Sequence, residues 1–170
     1  MNIKIKEDIQ NHLAELEDDD FKVRDAARLQ LATMGREAVP DLVHQLKTDK
    51  EPCRREAAKI LGEIHDESAA HDLVEALLDE SIGVEWAASE ALIKYGPGAI
   101  IPLLEGITRH FDSTRFRQRA FHVLHELDRV HYLHPKVEEV MDSLRGIGIF
   151  TGAAWAAERA IEYLKFDNMS

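Results

Sequence analysis

The sequence repeats itself, and this repetition constrains the fold more than any other feature. An apolar residue is followed four positions later by Ala and eight positions later by Leu in VRDAARLQL (23–31), CRREAAKIL (53–61) and VEWAASEAL (84–92). Residues 116–124 follow the same pattern. Because side chains four apart lie on one face of a helix, each copy predicts an amphipathic helix.

A second apolar motif follows each of the first three copies at a constant step of 31 residues. It reads AVPDL (38–42), AAHDL (69–73) and IIPLL (100–104). Gly35 and the GPG of 96–98 separate the two motifs of a unit, where helix breakers are expected. The repeating unit is therefore a pair of helices. First helices are predicted near 22–34, 52–64, 83–95 and 115–127, and second helices near 38–47, 69–78, 99–109 and 134–145.

Repeated helix pairs bury their apolar faces by stacking on one another, which predicts an all-α solenoid. We predict a single domain over residues 1–170, with capping helices at 1–16 and 146–170. The repeats between them are predicted at 17–47, 48–78, 79–110 and 111–145.

Composition narrows the class of partner. The chain has 32 acidic and 21 basic side chains and a formal charge of -11, which repels nucleic acid and anionic membranes. No apolar run approaches the length of about 18 residues that spans a membrane, and no signal peptide is evident. We therefore expect a cytoplasmic protein. The single cysteine, Cys53, holds the position of Val23 and Val84 and is predicted to be a small buried residue.

The motifs VRDAA, AVPDLVHQL and CRREAAKILGEI resemble the short HEAT-like repeats of the phycobiliprotein lyase family, over roughly residues 16–145. The resemblance implies a repeat scaffold, and scaffolds of this kind serve unrelated tasks. We predict a non-catalytic interaction scaffold, adaptor or assembly factor. Two alternatives stay open: an enzyme subunit resembling a phycobilin lyase, and a metal-binding HEAT-like protein.

Three first helices carry an Asp five residues before an Arg, and we predict a structural ladder of these pairs. The Asp is expected to cap the helix, while the Arg reaches the previous unit's Asp or its carbonyl groups. The third unit breaks the ladder, because Glu80 and Glu85 take these positions. The pairs are Asp19 with Arg24, Asp49 with Arg54, and Asp112 with Arg117.

Trp86 is predicted to face away from the core of its own helix. On a helical wheel it lies about 200° from Val84, which begins the apolar stripe. Glu85 is also expected to lie off this stripe. Trp86 either packs against Arg55 or Gln118 of the adjacent units or serves as an exposed anchor for a partner. Trp155 stands in the same relation to its helix, and both alternatives apply to it.

The second helices are the predicted partner surface, because the resemblance implies that they line the concave face. Across successive units this surface is predicted to change from acidic to apolar to basic. A segment of another protein with complementary character would bind there, and a homodimer is left open. The partner-binding candidates are Asp41, His44, Asp72, Glu75, Leu103 and Trp86.

A basic island is predicted in the fourth repeat. It suits an acidic protein partner or a phosphate group better than a nucleic-acid duplex, which requires many phosphate contacts. Its candidates are Arg109, Arg115, Arg119 and Lys136.

Histidines in the fourth repeat form two pairs at a spacing of three, which can place two imidazoles on one metal. No acidic or Cys ligand is convincingly placed beside them, so we predict no metal site. The candidates considered are His122, His125, His131 and His134.

A catalytic role is disfavoured. Deoxyhypusine hydroxylase has similar repeats and binds iron through His-Glu pairs in its first helices. The matching His positions hold Arg55, Trp86 and Gln118 here, so that activity is excluded. We predict no catalytic residue and no cofactor.

Overall fold

A computed structural model describes residues 3–131, 133–146 and 150–167. These residues form helices joined by short turns and contain no strand, so the all-α fold class of the α-solenoid type is confirmed. None of the described helices is long and apolar enough to cross a bilayer. The helices are α1 (Ile3–Glu15), α2 (Phe21–Met34), α3 (Val39–Gln45), α4 (Glu51–Ile64), α5 (Ala70–Glu75), α6 (Ile82–Tyr95), α7 (Ile100–Arg109), α8 (Thr114–His131), α9 (Pro135–Arg145) and α10 (Phe150–Asp167).

The helices correspond to the predicted pairs, with α2, α4, α6 and α8 as first helices. The second helices α3 and α5 are shorter than expected, because 3-10 turns at Gly35–Ala38, Glu67–Ala69 and Ala76–Leu78 take up part of each segment. The first helix of the fourth repeat, α8, extends beyond the predicted limit at 127. The chain forms two compact units, Met1–Lys94 and Tyr95–Ser170. The single domain over 1–170 stays a prediction.

The core of the first unit is the repeated stripe. Helix α1 packs on α2, and α2 and α3 pack on α4. The Ala and Leu of each motif are buried, and Cys53 is buried as predicted. Fully burying a Leu side chain contributes roughly 1.5–3 kcal/mol, so the stripe carries a large share of the stability. The stripe residues are Ala27, Leu31, Ala57, Leu61, Ala88 and Leu92.

The second unit is held together by close contact of α10 with α7 and α9. The buried side chains of α10, among those that the structure describes, are the methyl groups of Ala153, Ala157 and Ala160. Small residues let helix backbones approach closely, so α7 and α9 both reach α10. Phe116 on α8 is the largest fully buried side chain of the molecule among those described.

The buried guanidinium of Arg54 ties the turns of adjacent repeats together. Its Nη1 donates to the carbonyl oxygens of Thr48 (3.0 Å) and Asp49 (3.1 Å), as the ladder predicts. Its Nε and Nη2 form a bidentate pair with the Asp79 carboxylate at 2.7 and 3.0 Å. Of the two predicted contacts Arg54 therefore makes the one with carbonyl groups, while the Asp that it pairs with lies in the turn that follows and not in the previous unit. The turn that contains Asp79 belongs to the following repeat, and it covers the Arg54 side chain.

Arg24 is a half-buried counterpart of Arg54. Its Nη1 donates to the carbonyl oxygens of Asp18 (2.6 Å) and Asp19 (2.9 Å). Arg117 differs from both, because its Nη2 donates to Thr114 Oγ1 at 3.2 Å.

The predicted capping role of the ladder Asp residues is wrong. Helix α2 is capped by Asp20, whose carboxylate accepts from the Lys22 amide at 2.9 Å. Helix α4 begins after Lys50 with no side-chain cap. Before α8, Ser113 Oγ accepts from the Phe116 amide at 3.1 Å. The cap position is the residue immediately before the helix, and Asp19, Asp49 and Asp112 each lie one residue too early.

Replacing Arg54 with Ala should lower the free energy of unfolding by about 3 kcal/mol, because the Asp79 carboxylate and two turn carbonyls lose a buried donor. Arg24→Ala is the matched control and should cost about 1 kcal/mol, since it removes two exposed hydrogen bonds. Urea denaturation monitored by circular dichroism measures both. Equal losses in the two variants would contradict the importance assigned to the Arg54–Asp79 pair.

Gly62→Ala should destabilise the protein although Ala favours helices. A Cβ at position 62 would lie 2.9 Å from both Cα and Cβ of Ala91. The gain of about 1 kcal/mol in helix propensity is smaller than the overlap, so we expect a net loss of roughly 1–2 kcal/mol.

Gly152→Ala is the control, because a Cβ there meets no atom within 4 Å. This variant should be as stable as the wild type or more stable. Thermal unfolding of the three proteins provides the comparison. A Gly62→Ala variant as stable as the wild type would show that α4 and α6 can separate at no cost.

Candidate functional site

Helices α3 and α5 carry four of the six predicted partner-binding residues. We call the outward side chains Asp41 and His44 of α3, and Asp72 and Glu75 of α5, the second-helix surface. In each helix the two residues are three apart and therefore share a face. His44 and Glu75 are exposed, and Asp41 and Asp72 are half-buried.

Neighbouring helices hold two of these carboxylates in place. Asp41 Oδ1 accepts from Gln10 Nε2 of α1 at 2.8 Å. Lys47 Nζ lies 2.8 Å from Asp72 Oδ1. Such partly exposed pairs add little to stability. A carboxylate can accept about four hydrogen bonds, so these contacts leave capacity for a partner.

A cavity of about 210 Å³ opens beside Asp72 and Glu75. Its walls combine apolar side chains with charged ones, so it can take the aliphatic stem of a long side chain together with its polar end. The charged rim is mainly acidic. The lining residues are Leu46, Lys47, Asp72, Glu75, Ala76, Leu78 and Asp79.

Lys47 and Leu78 also belong to this site, although they were not predicted from the sequence. A signal for them existed, because the two residues hold the same position of the repeat at a step of 31. The second helices had been expected to continue through both positions. Their shorter length turns these side chains toward the cavity.

Leu103 does not belong to the surface, and its assignment as a partner-binding residue is wrong. It is fully buried, as are Ala99 and Ile107 of the same segment. Helix α7 packs against both α10 and α8 and is therefore enclosed on more than one side. The surface was predicted to change from acidic to apolar to basic across the units, and α7 does not supply the apolar part.

Trp86 faces outward as predicted, with 57% of its surface exposed. Ile82, one turn earlier on α6, is also exposed. The exposure fits the anchor interpretation, which stays a prediction. Glu85 was expected off the core, and this is wrong, because only 1% of its surface is exposed. It holds the position in its repeat that buried Arg54 holds in the repeat before.

The basic island is spread over three helices. Arg109 ends α7, Arg115 and Arg119 lie on α8, and Lys136 lies on α9. Lys136 Nζ is 2.7 Å from Glu139, and each of the three arginines interacts with other groups of the chain. These contacts offset part of its charge, and binding of an anion or an acidic partner there stays a prediction.

The histidines considered as metal ligands have structural contacts. His125 stacks on Phe121 with ring centres 5.8 Å apart, and His134 stacks on Tyr163 at 4.6 Å. His134 Nδ1 also accepts from the Lys136 amide at 3.1 Å and so caps α9. His122 is half-buried on α8. The side chain of His131 lies outside the described residues, and the described residues contain no group of three or more potential ligands placed to hold a metal ion.

A family model for HEAT repeats matches residues 9–93 and 53–125, which together span more than half of the chain. The chain belongs to the HEAT repeat family. No curated protein matches it in sequence. The family agrees with the helix pairs and with the buried stripe, and HEAT repeats commonly serve as protein-interaction scaffolds.

This HEAT repeat protein holds its lone thiol in an unreactive state. A cavity of about 520 Å³ includes Cys53, Lys50 and Glu17 in its lining. Burial and the nearby Glu17 carboxylate, 3.4 Å from Sγ, raise the pKa of the Cys53 thiol. A raised pKa keeps the thiol protonated at neutral pH, and a protonated thiol is a poor nucleophile.

Asp66 lines a cavity of about 560 Å³ at the turn between α4 and α5. Hydrogen bonds from Ser68, and then from Arg36, lower the pKa of its carboxyl from 3.8 to about 2. The Ser68 amide is 3.0 Å from Oδ1, and Arg36 Nε is 2.6 Å from Oδ2. A carboxylate with so low a pKa cannot exchange protons near neutral pH, so Asp66 is suited to fixing the turn and not to acid–base catalysis.

The low pKa of Asp66 predicts a contribution to stability that depends on pH. Because the folded pKa is below the unfolded value, the contribution is complete above about pH 4 and is lost as the pH falls toward 2. Allowing for the exposure of Arg36, we expect about 1 kcal/mol. Asp66→Asn should lack this contribution at neutral pH and should lose correspondingly less stability on acidification.

Urea denaturation at pH 7 and at pH 3 measures the effect, with Glu67→Gln as the exposed neighbouring control. If Asp66→Asn loses as much stability between these pH values as the wild type, the assigned role of the carboxylate is incorrect.

Proposed function

We propose that this HEAT repeat protein is a non-catalytic scaffold or adaptor that binds a segment of another protein on its second-helix surface. The observation that supports the proposal is the cavity of about 210 Å³ bordered by Asp72 and Glu75. It combines an anchoring recess with a charged rim.

The partner segment should carry a Lys or Arg beside apolar residues. The stem of such a side chain would contact Leu46 and Leu78, while its cationic group would approach Asp72 and Glu75. The formal charge of -11 would raise the association rate for a basic segment. Complementary charge of this kind mainly sets the partner's identity and orientation.

The outer side of the first helices is less suited to such a partner, because its charges are matched within the chain. Arg28 forms an ion pair with Asp25 and lies 3.8 Å from Glu56 and 3.9 Å from Glu63. Lys59 lies 2.8 Å from Glu56. A partner would have to displace these pairs to use their charges.

The alternative of a phycobilin lyase subunit rests on the repeats alone. No contact or cavity among the described residues favours a tetrapyrrole, and an absorbance change on mixing with a bilin would be needed to support it. Cys53 and Asp66 have pKa values that suit neither nucleophilic nor acid–base chemistry. These observations favour binding over catalysis.

Reversing the charges of the second-helix surface should abolish partner binding. The double variant Asp72→Lys/Glu75→Lys replaces attraction of a basic segment by repulsion and should raise the dissociation constant at least about tenfold. Proteins captured from a lysate of the source organism on wild type would be identified by mass spectrometry, and the purified pair would be measured by calorimetry.

Glu63→Lys/Glu90→Lys is the matched control, since it changes the net charge equally on first helices. It should retain the partner. The proposal fails if both double variants bind alike, or if wild type captures no protein that binds it after purification.

A further inference from the structure

The outward face of α10 carries large apolar side chains that the core does not use. Trp155 is 62% exposed and Phe166 is 73% exposed, on the side opposite Ala153, Ala157 and Ala160. Between them lie the exposed charged residues Arg159 and Glu162. Single exposed apolar side chains are common on protein surfaces, and what distinguishes these two is the spacing and charge of the residues between them.

These four residues form a seam with a defined spacing. Trp155, Arg159, Glu162 and Phe166 are separated by four, three and four positions. This is the spacing of the two core positions of a coiled coil, and it holds the four side chains within about 60° on the helical wheel. Helix α10 can therefore present them to one partner helix along their whole length.

The order of chemical types along the seam is the same in both directions. Read from either end, it is aromatic, charged, charged, aromatic, and the two charges are opposite. In an antiparallel pair of identical helices, Trp155 would face Phe166 of the second copy, and Arg159 would face Glu162 of the second copy. Two-fold symmetry makes each contact twice.

We propose that α10 is a self-association surface, which pairs antiparallel with α10 of a second copy of this chain. The residues beside the seam support the same arrangement. Glu158 and Lys165 are seven apart on one flank of α10, and antiparallel pairing would bring each near the opposite charge of the other copy, although Lys165 Nζ is also 3.1 Å from Glu105 Oε1 of its own protomer. An unrelated partner would not require this symmetry of aromatic and charged residues.

The seam residues are positioned for this contact within each protomer. The Arg159 guanidinium lies over its own Trp155 ring, 4.8 Å from the ring centre, and is 3.9 Å from Glu139. Tyr163 stacks on His134 beside the seam. Guanidinium has five donors, so Arg159 can keep these contacts and also bind a carboxylate of the second copy.

The expected dimer is weak. A single pair of helices buries less surface than the roughly 800 Å² per partner of a standard interface. We therefore expect a dissociation constant in the micromolar range, measurable by sedimentation velocity between about 1 and about 200 µM. Wild type should change from monomer to dimer across this range.

Charge reversal gives the decisive test. Arg159→Glu and Glu162→Arg each place like charges opposite one another twice and should raise the dissociation constant at least about tenfold. The double variant Arg159→Glu/Glu162→Arg restores opposite charges and should recover the wild-type constant within about threefold. Circular dichroism checks that each variant is folded.

Aromatic truncation gives an independent test. Trp155→Ala and Phe166→Ala should each weaken the dimer, and Phe21→Ala, an exposed aromatic on α2, should not. A wild type that stays monomeric, a dimer that survives both charge reversals, or a double variant without recovery would each overturn the proposal. These residues and the self-association readout are separate from the Asp72 and Glu75 experiment, so either proposal can fail alone.

Discussion

The rest of the structure depends on the burial of one narrow apolar stripe in each first helix. The Ala and Leu of each motif are buried because the next helix lies directly against them. At Gly62 the neighbouring residue Ala91 is so close that a methyl group would not fit between them. Close packing makes the interior sensitive to single methyl groups. It also fixes which positions can vary, since a residue off the stripe can change without disturbing the stack.

Much of the fold could be predicted from the sequence because the stripe is local and recurs. Four copies of one spacing identify the first helices, and the constant step of 31 identifies the second ones. The turns were harder to predict. Arg54 contacts Asp79 in the turn that follows, and an Asp–Arg spacing within one repeat cannot reveal a partner 25 residues later. The helix caps were misplaced for another reason, since each helix begins one residue later than the Asp–Arg spacing suggests.

The candidate site was predicted only in part, and the errors have one physical cause. A helical wheel predicts exposure correctly for a helix that is buried on one side only. Asp72 and Glu75 of α5 lie outside the core as the wheel predicts. Leu103 does not, because α7 is packed by α8 and α10 together. Glu85 does not either, since it is buried at the position that Arg54 holds in the repeat before. Burial from a second direction leaves no periodic signal in a single sequence.

The charges of the chain act differently at its two proposed surfaces. An acidic second-helix surface selects a partner of opposite charge, whereas two copies of a protein with charge -11 repel one another. At physiological salt this repulsion is screened beyond roughly 8 Å, while contacts inside an interface are screened much less. Self-association then depends on how the positive and negative side chains are arranged within the interface. The seam of α10 has that order, because Arg159 and Glu162 lie at symmetric positions between two aromatic side chains and each copy supplies both signs.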